Sequence, residues 1–405
     1  MSTMQSSNTK PVRLGFVGLG ARGTYHLKAA LMVQGVEVAA LCDVDTARLE
    51  QAAGLVRGAG KAASKRYGKG EKDYERMCGE ETLDAVICST PPQSHAAVCL
   101  AANRNGKHAA SEGPLALTLE NAWALIEAYE KTKKWSALAL ETTLLEEENG
   151  NNLTLLNLVR NGLLGDMIHC EDGVLRDRRA AKLREMQRSS TALGDSGNFA
   201  PDAPMNRLIP LMDINHGDRF DSLMSVSSRP AAMAEFASTK LGKEAAAKFR
   251  NGPGDYNASI LHTVDGKLVT LNYDTSTPNP REYCRFQGTK GVYMSAPGLP
   301  GPMIYIDGIS VRPHRWEKVD SYFEQHRHPL LGKAAGNKTP LTWQLLVAAL
   351  REGKQPYFDV YDSVTSSAVI ALTQKSVSSR SRPVEFPDFT RGQWKTRKPI
   401  DLLTV

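Results

Sequence analysis

The stretch GFVGLGARGTYHL, Gly15 to Leu27, carries a G-x-G-x-x-G spacing in Gly18, Gly20 and Gly23. Alone, that spacing fits any tight glycine turn, so its flanks decide the reading. Upstream, VRLGFVG (12–18) is a short apolar run of the kind a buried parallel strand needs. Downstream, TYHLKAALMV continues as a helix, and VEVAALCDVD reads as a second buried strand ending in Asp43 and Asp45. Strand, glycine turn, helix and strand, with an acid about twenty residues on, make a nucleotide-binding βαβ unit. Gly18 permits the tight turn, Gly20 lets the backbone approach a pyrophosphate, and Gly23 allows the helix to lie close on the strand. The helix N-terminus offers free N–H groups to phosphate. Asp43 is placed to accept from a ribose 2′-hydroxyl, which favours NAD over NADP because a 2′-phosphate would meet a carboxylate.

The alternation continues outward from this unit. Ala85–Ser89 reads as a strand, then come a Pro-Pro turn, a helix over 94–103 and a short strand over 107–111. TLENAWALIEAYEKTKKW is an amphipathic helix capped by Thr118, and SALALE is the next strand. Beyond Glu141 the pattern changes to strand-like runs separated by glycine turns: MIHCEDGVLRDRR, RFDSLMSVSS, NASILHTVDGKLVTLNYDTS, REYCRFQGTKGVYMSA and PMIYIDGISVRP. The expected fold is α/β: a doubly wound Rossmann domain over 1–145, then an α/β domain over 146–405 with an open, largely antiparallel sheet. Two helices, LTWQLLVAALREG and YDSVTSSAVIALTQKSV, are expected to pack back. Residues 184–208 and 313–338 read as long loops, of the length that functional segments use. An open sheet face needs a cover, so a homo-oligomer, most simply a dimer through that face, is expected.

At 405 residues, 41% hydrophobic and 23% charged, the composition is that of a globular protein with a sizeable core. The net charge of +6 is spread over 50 basic and 44 acidic residues instead of forming the stripe that nucleic-acid binding uses. Six cysteines without a CxxC pair read as buried free thiols of a reducing compartment. His326 and His328 lack a third ligand nearby, so no metal site is expected. No apolar run approaches the ~20 residues of a membrane span, and MSTMQSSNTKPV lacks the core of a secretory signal. A cytoplasmic location, or a mature exported form, follows as the expectation.

STPPQSH (89–95) followed by GKHAASEGPL (106–115) resembles the Gfo/Idh/MocA family, named for glucose-fructose oxidoreductase, inositol dehydrogenase and MocA. In the family's dehydrogenases a lysine follows the glutamate and assists hydride transfer from a sugar hydroxyl to NAD; here that position is Gly113. NLVRNGLLGDMIHCEDG, DINHGDRFDSLMSVSS, NYDTSTPNP, QGTKGVYM and RPVEFPDFTRGQW resemble the NAD-dependent glycoside hydrolase family 109 branch, the α-N-acetylgalactosaminidase-like enzymes, which also lack that lysine. The resemblance implies NAD contacts at Gly18, Gly20, Ala21, Arg22, Gly23, Asp43, Thr90, Pro91, Gln93, Ser94, His95, Glu112, Gly113 and Thr142, and a substrate contact at Arg188. It also implies a sugar or glycoside substrate and a redox-assisted hydrolysis. NAD takes hydride from a ring hydroxyl, a base removes the acidified neighbouring proton, the aglycone leaves, water adds and the hydride returns.

Several positions depart from that branch. Its Tyr-Pro-Thr-His stretch is Ala200-Pro201-Asp202-Ala203 here, a tyrosine of the EDGV strand is Val174, and another is either Arg281 or a displaced Tyr283. Asp202, His216 beside Asp213, and Tyr283 are therefore the acid–base candidates, with the run Glu146-Glu147-Glu148 as a further source. A loop histidine satisfied by its neighbours and a solvated glutamate face are the structural alternatives for His216 and the glutamates. Two other functions stay open: an NAD-dependent sugar or cyclitol dehydrogenase, and an NAD-binding protein with little catalysis.

Overall fold

Short apolar strands alternating with helices build a parallel sheet in the N-terminal half. Its strands are β1 (Val12–Val17), β2 (Val36–Cys42), β3 (Lys65–Tyr67), β4 (Ala85–Cys88), β5 (His108–Ser111) and β6 (Ser136–Ala137). They run parallel in the order β3-β2-β1-β4-β5-β6, the doubly wound arrangement expected from βαβ units. The connecting helices are α1 (Ala21–Leu31), α2 (Thr46–Gly58), α3 (Asp73–Glu80), α4 (Pro92–Arg104) and α5 (Leu119–Thr132). The structure is a computed structural model and describes residues 10–141, 143–145, 152–188, 196–244, 246–278, 283–334, 339–400 and 402.

The chain divides into two compact units, one of residues 1–141 with 334–364, the other of 142–333 with 365–404. In the first, Leu14, Phe16, Val38, Leu41 and Ile87 of the sheet pack with Leu27 of α1 and Val56 of α2. The returning helix Leu341–Glu352 adds Trp343, Leu346 and Val347 to the same core, Trp343 stacking on Phe16 at 6.3 Å between centroids. Arg351 donates to the Gln34 carbonyl at 2.6 Å, and Trp135 Nε1 to that of Lys354 at 3.1 Å. The sequence reading grouped this helix with the second domain. An apolar stripe shows that a helix buries one face, not which core receives it.

The second unit has a nine-stranded sheet of β7 (Met167–Leu175), β8 (Phe220–Ser227), β9 (Tyr256–Thr263), β10 (Leu268–Asp274), β11 (Cys284–Gly288), β12 (Gly291–Ser295), β13 (Met303–Ile306), β14 (Glu317–Lys318) and β15 (Val384–Glu385). Their order is β14-β13-β12-β11-β7-β10-β9-β8-β15. Every pairing is antiparallel except β7 with β10. One register row runs Leu223, Leu261, Val269, Cys170, Phe286, Tyr293, Ile304, and all seven are buried. The row on the opposite face runs Met224, Ile260, Thr270, Glu171, Arg285, Met294, Met303, and none of these is buried.

Three helices of this unit are α6 (Asn152–Arg160), α7 (Arg179–Arg188) and α8 (Asp202–Met212), and α8 packs on β7. The sequence expectation of a loop over 184–208 is corrected: α7 ends and α8 begins inside it. Pro204 falls in the first turn of α8, where no intrahelical N–H is required, so a proline-rich stretch that reads as loop starts a helix. The stretch 313–338 likewise holds helices Asp320–His326 and Pro329–Ala334. All six cysteines are buried free thiols. Among the described residues no helix is long and apolar enough to cross a membrane.

Candidate functional site

The glycine turn separates into two structural demands. Gly18 has φ +84°, and a Cβ there would lie 2.6 Å from the Ser89 carbonyl oxygen. At Gly23 a Cβ would lie 1.9 Å from the Gly18 carbonyl oxygen. Both are fixed by the chain's own packing. Gly20 differs: the nearest atom to an added Cβ is Arg48 Nη1 at 3.8 Å, so the protein leaves that side open. Gly20 N-caps α1 without a side-chain cap, and no acidic residue stands in the first turn. The first-turn N–H groups thus face a position suited to an anion. Asp43, at the end of β2, accepts from Leu19 N at 2.6 Å and from Asp45 N at 2.9 Å, tying the acid to the turn. Beside Gly18 and Gly23, Ser89 Oγ is buried without a hydrogen-bond partner. An open middle glycine, an unfilled helix N-terminus and an anchored carboxylate fit a dinucleotide.

Two further loops meet this turn through buried side chains. His95 is 1% exposed, with Nδ1 2.7 Å from the Pro114 carbonyl oxygen and Nε2 2.7 Å from that of Thr90. Its side chain therefore braces the TPPQSH turn against the SEGPL segment, a positioning role where the resemblance implied a cofactor contact. Around it, Pro91 and Gln93 are exposed while Thr90 and Ser94 are half-buried, all at the start of α4. Glu112 Oε1 receives Arg22 Nε at 2.9 Å, Arg22 Nη2 at 2.8 Å and His26 Nε2. No described side chain bonds Oε2. Burial alone would raise the Glu112 carboxyl, but the His26 hydrogen bond and the charges of His26 and Arg22 outweigh it and hold it below the usual glutamate range. His26 escaped the sequence reading; its signal was an inward helical position three residues after Gly23. Gly113 follows with no side chain, and Thr142 lies outside the described residues.

A depressed folded-state pKa contributes stability above the unfolded value and loses it as pH falls through the folded one. Glu112→Gln should therefore be destabilised relative to wild type at pH 7. The gap should begin to narrow as pH falls below the ordinary glutamate value of about 4.3, and close only once pH passes below the lowered folded value. Denaturation midpoints of both proteins between pH 7 and 3 check this; a gap independent of pH would contradict it.

In the second unit the strand β7 presents Asp172 to α8. Arg207 donates through Nε to Asp172 Oδ2 at 2.8 Å and through Nη2 to Oδ1 at 2.6 Å, and both residues are buried. Burial favours the uncharged guanidine, yet the Asp172 charge prevails and raises the Arg207 pKa. The preceding residue on β7, Glu171, points to the open face and accepts from Tyr283 Oη at 2.6 Å and Asn272 Nδ2 at 3.2 Å. Desolvation, with the Glu171 hydrogen bond, pushes the Tyr283 phenol up.

The three acid–base candidates have different surroundings. Asp202 opens α8, is buried and accepts from Ser366 Oγ at 2.8 Å. His216 donates through Nδ1 to the Lys398 carbonyl at 2.7 Å and accepts at Nε2 from Arg397 at 3.0 Å, so its ring anchors the C-terminal tail. Tyr283 belongs to the Glu171 cluster. Arg188 is the last residue of α7. Arg281 and Glu146 to Glu148 lie outside the described residues. Among the described residues no group of three histidine, cysteine or carboxylate side chains could hold a metal.

Comparison with known proteins matches both halves. Residues 12–139 match the oxidoreductase family with an NAD-binding Rossmann fold, and residues 149–396 match the glycosyl hydrolase 109 C-terminal domain. A glycosyl hydrolase family 109 protein of Shewanella woodyi is 33% identical, covering 98% of this chain and 89% of its own. An α-N-acetylgalactosaminidase of Shewanella oneidensis is 32% identical, covering 97% and 88%. Among solved structures, scyllo-inositol dehydrogenase from Lactobacillus casei with bound NAD(H) and scyllo-inositol aligns with a TM-score of 0.65 at 15% identity, covering 93% of this chain and 99% of that one. The fold and the glycine turn define an NAD-binding enzyme of the Gfo/Idh/MocA oxidoreductase class. Within that class, the chain belongs to glycosyl hydrolase family 109.

Proposed function

We propose that the protein processes a glycoside by a redox-assisted hydrolysis with no net oxidation. Bound NAD supplies a reversible hydride acceptor. The first unit holds it: Gly18, Gly20, Ala21, Arg22 and Gly23 seat the pyrophosphate on the N-terminus of α1, and Asp43 receives the ribose hydroxyls. Thr90, Pro91, Gln93, Ser94 and Gly113 complete the contacts, and Glu112 offers Oε2 to a donor while Arg22 and His26 hold its other oxygen. The observation that carries the reading is an intact cradle joined to glycine at position 113, where a simple dehydrogenase of this class has its lysine. Arg188 meets the substrate. Of the acid–base candidates, Asp202 is the one favoured, because His216 is committed to the tail and the Tyr283 phenol to Glu171.

Denaturing the purified protein and analysing the released material by absorbance and mass, beside assays on aryl glycosides and free sugars without added NAD, tests this reading. Released NAD with glycoside cleavage is expected. Accumulation of NADH from a free sugar would replace hydrolysis with dehydrogenation, and NAD without any turnover would reduce the protein to a binder.

We also propose a homodimer through the open face of the second sheet. Met224, Val226, Ile260 and Leu268 are exposed side by side on β8, β9 and β10, an apolar area that isolated proteins seldom leave bare. Light scattering at micromolar concentration should give a dimeric mass for the wild type and a monomeric mass for Ile260→Asp. A monomeric wild type would end the proposal.

A further inference from the structure

We infer that Arg48, on the first turn of α2, is the cation that answers the charge of the cofactor's pyrophosphate. The inference rests on the seating of that pyrophosphate at Gly20 and adds a residue that is not among the contacts implied by the family resemblance.

The protein atom nearest to a methyl group placed on Gly20 is Arg48 Nη1, at 3.8 Å. That methyl position lies on the open side of the turn, so the guanidinium borders the space left for the pyrophosphate. Gly20 N-caps α1, and Arg48 is the third residue of α2, so the starts of two helices meet at this point. The Arg48 side chain is held from behind. Its Nε lies 3.4 Å from Asp45 Oδ2, while Asp45 Oδ1 accepts from Ala47 N at 2.9 Å and Arg48 N at 3.4 Å to cap α2. Neither Nη1 nor Nη2 has an acceptor among the described residues. The cap of α2 therefore fixes the guanidinium by one nitrogen and leaves the other two for a ligand.

The local charges call for such a group. Asp43 and Asp45 stand at the end of β2, and Asp43 is tied to the turn by Leu19 N. The cation inside the turn itself, Arg22, is spent on Glu112 through Nε and Nη2. A dianionic pyrophosphate entering here would meet two carboxylates, against which the N-terminus of α1 offers only about half a positive charge. An arginine supplies a whole one on a planar fork that matches phosphate oxygens two at a time.

The test uses the full chain stripped of nucleotide on activated charcoal, with NAD, ADP-ribose and NADP titrated by calorimetry at about 0.02 M and about 0.5 M salt. Arg48→Gln should bind NAD and ADP-ribose about tenfold more weakly at low salt, the scale of a charge-assisted hydrogen bond. The loss should shrink to about twofold or less at high salt, because the group is exposed and screened. Arg48→Lys keeps the charge and should keep the wild-type salt dependence, with an affinity above that of Arg48→Gln. The denaturation midpoint without nucleotide should stay near wild type in both, since an exposed pair with Asp45 contributes little. Wild-type affinity in Arg48→Gln, a loss that salt does not shrink, a loss confined to NADP, or a lysine variant as weak as the glutamine one would each overturn the inference. Gly20→Ala, which blocks the seat itself, separates the two readings. Full affinity in Gly20→Ala would remove the seat and this inference with it, whereas a loss there with none in Arg48→Gln would overturn this inference alone.

Discussion

Asp172→Asn is expected to remove about 3–5 kcal/mol of stability, the range for breaking a buried ion pair by deleting one partner. The geometry puts this residue at the upper end of single substitutions. Asp172 and Arg207 are 1% and 6% exposed, and the two parallel hydrogen bonds of 2.8 and 2.6 Å satisfy the guanidinium in a place water does not reach. An asparagine keeps the size and one acceptor but removes the charge, so Arg207 is left buried with its cost of desolvation uncompensated. The pair also joins the middle of α8 to β7. Heat denaturation should show a fall of roughly 10 °C in the transition of the second unit. Asp172→Leu combined with Arg207→Met should recover most of the loss, because two apolar groups need no partner. A single variant within about 1 kcal/mol of wild type would show that solvent or another acid already balances Arg207.

The ion pair illustrates what the sequence could not disclose. Asp172 and Arg207 are 35 residues apart, one in a strand and one in a helix hidden behind prolines, and charged residues at such positions read as surface until the packing is known. The same holds for His26 and Glu112, 86 residues apart, and for Trp343, whose helix joins a core built from residues 12 to 140. The first unit's sheet, by contrast, was legible, because each βαβ step writes its own local signal: an apolar run, a glycine or proline turn, a helical period. Asp43 was legible for the same reason, its spacing from Gly23 being set by one helix and one strand. His216 had the residue type of a catalytic base but not its surroundings. Only the fold shows that its two nitrogens serve the tail.

Two alanine substitutions in one turn should fail in opposite ways. Gly20 has φ −64°, which any L-residue adopts, and its added Cβ meets nothing nearer than 3.8 Å. Gly20→Ala should therefore fold with a cost of no more than about 1 kcal/mol, the scale of an altered N-cap. Its methyl group, however, projects into the space at the N-terminus of α1 where a pyrophosphate would rest. NAD affinity should fall by roughly a hundredfold, the equivalent of losing one or two backbone hydrogen bonds to a charged group. Gly23→Ala behaves conversely. Its Cβ would stand 1.9 Å from the Gly18 carbonyl oxygen, so helix and strand must part, and the unliganded protein should lose about 2 kcal/mol or more. Denaturation without NAD and calorimetric titration with NAD separate the two effects. Gly20→Ala retaining full affinity would show that the cofactor does not approach the chain at this glycine, and the assignment of the turn as its pyrophosphate seat would fall with it.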